Sequence, residues 1–227
     1  MAKQKNEGDS VVAQEYLQAI YALSADSKPI KSITLSKWMK SSPSTVHATL
    51  SRLQRDKYVK INKKKEIQLT KSGLEKAEAL TRRHRLVEAF LCDKLGIPWY
   101  EVHNHAHILE HGLTSLVEEK LAEFLGYPET CPHGTPILGG RNSLPDEMRY
   151  LHDFDVGDVV EIIVINEILE ESIELMKFLQ DKSIKPGEKH QIVDKTEVTR
   201  TIVLESNGAT ATLTFDIAER IGAIKID

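Results

Sequence analysis

The chain has 227 residues, 41% of them hydrophobic and 28% charged, with 30 Lys/Arg against 34 Asp/Glu for a net charge of −4. That apolar fraction builds packed cores and excludes disorder throughout, and no run approaches the roughly 18 apolar residues of a membrane helix. The polar start, Met1 to Ser10, has no apolar signal-peptide segment. The two cysteines, Cys92 and Cys131, are too few for a disulfide framework, so a cytoplasmic protein with reduced thiols is predicted.

The charge is uneven along the chain. Between Lys28 and Glu66 stand eleven Lys/Arg and two acids, a balance of +9 that leaves −13 elsewhere. Such a block suits a polyanion, with a plain solvated face as the alternative. Leu17, Ile20 and Tyr21 fall at i, i+3 and i+4, which predicts an amphipathic helix over Val11–Leu23. A short helix is predicted over Ile33–Met39. Ser41-Ser42-Pro43-Ser44 reads as a helix start, a hydroxyl cap followed by Pro near the first helical position. Val46, Leu50 and Leu53 then line one face of a helix ending near Asp56. Tyr58–Ile61 and Glu66–Leu69 read as short strands joined by Asn62-Lys63-Lys64-Lys65. This order is that of a winged helix-turn-helix. The helix from Ser44 to Asp56 would enter the major groove. Ser42, Ser44, Thr45 and His47 are the candidates for base edges. Lys37, Lys40, Arg52, Arg55, Lys60, Lys63, Lys64 and Lys65 are the candidates for phosphates.

Beyond it, periodic runs predict helices over Leu74–Leu95, Tyr100–Glu110 and Leu113–Leu125, a bundle packed on itself or on a second copy. Pro128 to Pro145 reads as a linker. Strands are predicted over Val156–Ile165, Lys189–Asp194, Val198–Glu205 and Ala209–Phe215, with a turn at Ser206-Asn207-Gly208 and a helical interruption over Glu170–Phe178. The expected class is α+β: a winged helix over 8–73, a helical domain over 74–127, a linker over 128–150 and an SH3-like β-barrel over 151–227.

Six of the nine histidines lie between residues 84 and 133. On a helix turning 100° per residue, His103, His107, Glu110 and His111 fall within about 100° of arc, with His105 opposite. Three imidazoles and a carboxylate on one face form a convergent metal-ligand set, and His84 and Glu88 make a second pair at i, i+4. Cys131 and His133 are either further ligands or part of a polar linker. Cys92, in Phe90-Leu91-Cys92, reads as a small core residue, and Glu15 on the first helix is by itself a surface acid. His107-Ile108-Leu109-Glu110-His111 also matches the inverted zinc-peptidase motif, in which two histidines hold zinc and Glu is the general base. A peptidase would need a further ligand, an open coordination position and a substrate cleft, and would leave the basic winged helix unexplained. A metal-independent winged-helix DNA-binding protein is the other alternative.

The chain resembles, over nearly its whole length, the metal-dependent repressors typified by the diphtheria toxin repressor and the manganese transport regulators. The resemblance is carried by Glu15-Tyr16-Leu17-Gln18-Ala19-Ile20-Tyr21, Pro43-Ser44-Thr45-Val46, Leu69-Thr70-Lys71-Ser72-Gly73, His84-Arg85-Leu86-Val87-Glu88, and Glu101-Val102-His103 followed by Glu110-His111. It implies that the helical domain dimerises and binds metal and that the tail is SH3-like (FeoA-like). The activating metal site would fall on Glu15, His107, Glu110 and His111, and the ancillary site on His84, Glu88 and His103. Cys131-Pro132-His133-Gly134-Thr135-Pro136 resembles a longer subgroup whose Cys and His join the ancillary site with an acid from the tail, here Glu171 or Glu174. Iron-type members carry Met and Cys where this chain has Glu15 and His107; manganese-type members have an acid at the first position. The resemblance thus implies a cytoplasmic homodimer that binds a palindromic operator when activated by Mn²⁺ or Fe²⁺, with Zn²⁺ or Co²⁺ as substitutes in vitro. A metal shared by Glu15 and the helical domain would fix the spacing of two recognition helices, and meeting two half-sites together raises affinity.

Overall fold

The computed structural model describes residues 10–24, 29–138 and 143–226. The polar start over 1–9, Lys28 of the basic block and residues 139–142 of the predicted linker lie outside them. The chain divides into two compact units, Met1–Arg82 and Arg83–Asp227.

The N-terminal unit contains helices α1 (Val11–Ser24), α2 (Ser32–Trp38) and α3 (Pro43–Arg55), strands β1 (Val59–Ile61) and β2 (Ile67–Leu69), and the first half of α4 (Lys71–Asp93). Its core joins Tyr16, Leu17 and Ile20 to Leu35, Val46, Leu50, Leu53, Val59 and Ile67. α3 starts where the sequence places it: Pro43 takes the first helical position and Ser42 Oγ accepts the Thr45 N–H at 3.2 Å. The two strands pair antiparallel with Lys60 opposite Gln68. Asn62 shapes the turn between them, its Oδ1 accepting the Lys64 and Glu66 N–H groups at 2.9 and 3.0 Å. Lys63, Lys64 and Lys65 are left exposed at the tip. Thr70 caps α4, its Oγ1 accepting the Gly73 N–H at 3.1 Å and donating to the Lys57 carbonyl at 2.6 Å. A Cβ on Gly73 would lie 2.0 Å from the Tyr58 carbonyl oxygen, so only glycine lets α4 approach the wing this closely.

The C-terminal unit holds the rest of α4, then α5 (Val102–Leu109), a 3-10 turn over Glu110–Gly112 and α6 (Ser115–Phe124). A six-stranded antiparallel sheet follows, ordered β3-β8-β4-β5-β6-β7. Its strands are β3 (Arg149–Tyr150), β4 (Val159–Ile165), β5 (Lys189–Thr196), β6 (Thr201–Ser206), β7 (Ala209–Thr214) and β8 (Ile221–Ile226), with α7 (Glu167–Glu170) and α8 (Ile173–Asp181) between β4 and β5 and α9 (Phe215–Ala218) before β8. Ile162, Ile165, Leu179, Ile192, Ile202, Leu204, Leu213 and Ile221 fill its core.

Three sequence expectations change. The predicted helix over Glu170–Phe178 is two helices, because Asn166 caps α7 through the Ile168 N–H and Ser172 caps α8 through the Leu175 N–H. Strand β8 went unread: Ile221, Gly222 and Ala223 are all buried, so the alternation that marks a half-exposed strand is missing. The stretch read as a linker is, over 128–138, a tight reversal in which the Thr135 carbonyl accepts the Cys131 N–H at 2.9 Å and the Glu129 carbonyl accepts the Ile137 N–H at 2.8 Å. Among the described residues no helix is long and apolar enough to cross a membrane.

Candidate metal centre

His84 and Glu88 lie one turn apart on α4, and both are buried. Their i, i+4 spacing aims both side chains at one point, with His84 Nε2 3.0 Å from Glu88 Oε1. His103, in the first turn of α5, brings Nδ1 to 3.0 Å from His84 Nε2 and 3.3 Å from Glu88 Oε1. The 131–134 reversal adds His133, whose Nδ1 stands 3.5 Å from Glu88 Oε1, and Cys131 Sγ lies within 4.8 Å of both. The last member comes from α7: Glu170 Oε2 lies 3.0 Å from His103 Nδ1 and 3.1 Å from His133 Nδ1. Glu88 Oε2, both Glu170 oxygens and His133 Nδ1 are buried without a well-directed hydrogen bond. Buried polar atoms left that way call for an explanation, and nitrogen, oxygen and sulfur lone pairs converging on one point suit a divalent transition metal.

Glu110 anchors a second group. Its Oε2 accepts from His84 Nδ1 at 2.7 Å, while Oε1 lies 3.4 Å from His107 Nδ1 and 3.5 Å from His111 Nε2. The chain tightens from α5 into the 3-10 turn at Glu110. The predicted four-residue face serves two groups: His103 meets Glu88 and Glu170, while His107, Glu110 and His111 stay together.

Burial opposes every charge here, and at the imidazoles and carboxylates opposite charges outweigh it. At His84, Glu88 and Glu110 overcome burial and raise the pKa to about 10. At Glu110, His107 and His84 overcome it and lower the pKa to about 2. Glu170 and Glu88 likewise raise His133 against burial. Burial, reinforced by Glu88, pushes the Cys131 thiol up to about 12. Imidazolium protons thus balance the carboxylates, a role that a bound cation takes over while releasing them. Coordination to a cation also strips a thiol of its proton.

Glu170 is the acid that the sequence reading missed. Of the two residues it preferred, Glu171 is half-exposed with Oε1 3.7 Å from His103 Nε2, and Glu174 is exposed on α8 and in none of the ligand groups formed by the described residues. No local spacing marks it: α7 reaches the group by following β4 back to the helices, and the break at Ser172 that separates α7 from α8 went unread. Two supports were also missed. Arg85 donates to the Pro136 carbonyl at 2.6 Å and to Glu167 Oε1 at 2.7 Å, tying α4 to the reversal and to α7. Trp99 Nε1 donates to the Pro132 carbonyl at 2.9 Å, and its own carbonyl lies 3.1 Å from His133 Nε2, an arrangement that leaves Nδ1 facing the cluster. Glu15, on α1 of the N-terminal unit, is partly exposed.

Substituting Cys131→Ser or His133→Ala is expected to reduce metal stoichiometry or affinity while sparing the group around Glu110. Co²⁺-loaded protein is expected to show a sulfur-to-cobalt charge-transfer band that Cys131→Ser removes. Unchanged stoichiometry with no such band would return both residues to a packing role.

In the N-terminal unit, Lys37, Lys40, Ser42, Ser44, Thr45, His47, Arg55, Lys60, Lys63, Lys64 and Lys65 are exposed. Arg52 is partly buried, its Nη2 donating to Ser10 Oγ at 2.8 Å. Arg55 pairs with Asp56 at 3.0 Å. The Ser42 hydroxyl is occupied by capping α3 and by Ser44 and Thr45 at 2.8 and 2.9 Å.

A basic winged helix followed by a buried cluster of imidazoles, carboxylates and a thiol defines a metal-responsive DNA-binding regulator. Two family models match the chain: the iron-dependent repressor N-terminal DNA-binding domain over residues 10–67, and the iron-dependent repressor metal-binding and dimerisation domain over residues 70–139. The iron-dependent repressor IdeR of Mycobacterium tuberculosis is 32% identical over 183 residues, covering 76% of this chain and 79% of that protein. The diphtheria toxin repressor of Corynebacterium diphtheriae is 30% identical over 214 residues, covering 91% of this chain and 93% of its own. A solved manganese-dependent transcriptional repressor in complex with manganese superposes with a TM-score of 0.83 at 27% identity, covering 94% of this chain and 100% of the other. The chain belongs to the iron-dependent repressor family, and it is a metal-dependent, DNA-binding transcriptional regulator.

Proposed function

We propose that this regulator is a cytoplasmic homodimer that represses metal-uptake genes from a palindromic operator when Mn²⁺ or Fe²⁺ is bound. In this reading residues 8–73 bind DNA, 74–127 dimerise and hold metal, 128–150 form a connecting segment and 151–227 the SH3-like tail. Glu15, His107, Glu110 and His111 serve as activating ligands. His84, Glu88, His103, Cys131 and His133, with Glu170, serve as ancillary ligands. The observation that carries the reading is the buried donor set around Glu88, in which Glu88 Oε2, both Glu170 oxygens and His133 Nδ1 lack directed hydrogen bonds. Ser44, Thr45 and His47 at the start of α3 would read base edges and the wing lysines would meet phosphates. His107 belongs to α5 whereas Glu110 and His111 belong to the following turn. Glu110 is also held by His84, which supports a ligand rather than the general base of a peptidase.

Manganese is favoured by the donors. Glu15 and His107 offer oxygen and nitrogen where a sulfur-rich site would favour thiophilic ions, and carboxylates suit Mn²⁺. Affinity itself rises from Mn²⁺ to Fe²⁺ and beyond, so activation is the quantity to measure. A tenfold activation needs only about 1.4 kcal/mol of differential binding. Saturating Mn²⁺ is expected to raise DNA affinity at least as fully as Fe²⁺ under anaerobic conditions. The double substitution Glu15→Met, His107→Cys is expected to weaken the Mn²⁺ response more than the Fe²⁺ response. Fluorescence-anisotropy titrations with Mn²⁺, Fe²⁺, Zn²⁺ and a chelator, on a duplex selected with the metal-loaded protein, test both. Mn²⁺ that binds and leaves DNA affinity unchanged removes the manganese assignment; a chelator without effect removes metal activation.

A further inference from the structure

His84 offers each ring nitrogen to a different cluster. Nε2 lies 3.0 Å from both Glu88 Oε1 and His103 Nδ1, and Nδ1 lies 2.7 Å from Glu110 Oε2. The side chain is 2% exposed and packs edge-on against His103, with ring centroids 4.7 Å apart. It cannot pivot without breaking one of these contacts. A histidine that ligates through one nitrogen donates its other N–H to an outer partner, commonly a carboxylate, and that bond fixes the ring. Here the outer partner has a second role. The other oxygen of Glu110 faces His107 and His111 at 3.4 and 3.5 Å.

We propose that His84 is a positioning residue that couples the two metal sites, ligating in one through Nε2 and orienting Glu110 of the other through Nδ1–H. Fixing Oε2 on His84 leaves Oε1 turned toward His107 and His111. The proposal rests on the two-site reading above and adds an energetic link to it. By linkage, filling either site strengthens the other by the same factor. About tenfold is expected, equal to about 1.4 kcal/mol.

Side-chain amides separate the two functions of the ring. An Asn amide nitrogen falls near the place of Nδ1, and a Gln amide near that of Nε2. His84→Gln therefore keeps a potential ligand atom and loses the donor to Glu110, whereas His84→Asn keeps the donor and loses the ligand. The experiment titrates the full-length protein with Mn²⁺ alone and reads free Mn²⁺ by electron paramagnetic resonance. Glu88→Gln and Glu110→Gln are each expected to remove one ion from a cooperatively filled pair. His103→Gln, which changes a ligand on the Glu88 side, is expected to keep cooperativity, and His84→Gln to fill both sites independently. Should His84→Gln lose an ion outright, the remaining Glu110 site decides: His84→Asn is expected to hold Mn²⁺ about tenfold more tightly than His84→Gln, and equal affinities overturn the coupling. Non-cooperative filling of the wild type, or wild-type cooperativity in His84→Gln, overturns the coupling and spares the two sites. If Glu88→Gln and Glu110→Gln do not each remove an ion, the two-site reading falls and the coupling with it.

Discussion

Replacing Glu110 with Ala is expected to abolish metal-stimulated DNA binding while leaving a folded, dimeric protein. Its carboxylate is fully buried and is the meeting point of His84, His107 and His111. Even the loss of an outer partner of a metal ligand costs about 10- to 100-fold in affinity, so removal of the shared carboxylate is expected to cost at least about 100-fold. The fold is expected to survive, because the helices around Glu110 pack through separate apolar contacts, among them Val87, Leu91, Val102 and Ala106. His111→Ala is expected to behave alike. DNA-binding titrations with and without metal, alongside circular dichroism and size-exclusion chromatography, make the comparison. A full metal response in either variant removes these residues from the activating site.

The second large effect is expected at a residue with no side chain. Gly134 has φ +86°, and a Cβ there would stand 2.0 Å from the Ile163 carbonyl oxygen. The adjacent His133 carbonyl accepts the Ile165 N–H at 2.8 Å, which locks the reversal onto β4. Ala at this position carries a left-handed backbone cost of about 1–2 kcal/mol and a clash with strand backbone that cannot swing aside. Gly134→Ala is therefore expected to lose about 3 kcal/mol of stability and to displace Cys131 and His133, lowering metal stoichiometry. Gly157→Ala is the control: φ is +97° there, but nothing lies within 4 Å of its Cβ, so only the backbone cost remains. Chemical denaturation separates the two. A Gly134 variant no less stable than the Gly157 variant would show that the reversal yields without cost.

The local signals explain what was legible in the sequence. The cap at Ser42, the apolar stripe through Val46, Leu50 and Leu53, and the lysine-rich turn are each set by residues within a few positions, so the winged helix could be read directly. The His84–Glu88 pair was legible for the same reason, since one helix turn fixes it. Glu170 was not. It reaches His103 only because the sheet carries α7 back to the helices, and no spacing in the chain records that return. The face drawn from His103 to His111 serves two groups, with His103 in the first turn of α5 meeting Glu88 and Glu170 and His107, Glu110 and His111 gathering a turn further on. Trp99 escaped notice because its part in the centre is played through a backbone carbonyl and an indole N–H, groups that no ligand motif contains.

The position of Glu170 bears on how this sensor can be cut or transplanted. The matched metal-binding and dimerisation domain ends at residue 139, yet the carboxylate 3.0 Å from His103 lies some thirty residues beyond it, on the far side of β4. A fragment ending at 139 would carry the imidazoles and the thiol away from one of their two buried acids. It would also uncover Trp99 and Tyr100, which pack on the core of the sheet. The smallest portable version of this centre is therefore set by where the last carboxylate is folded, and it includes the C-terminal sheet.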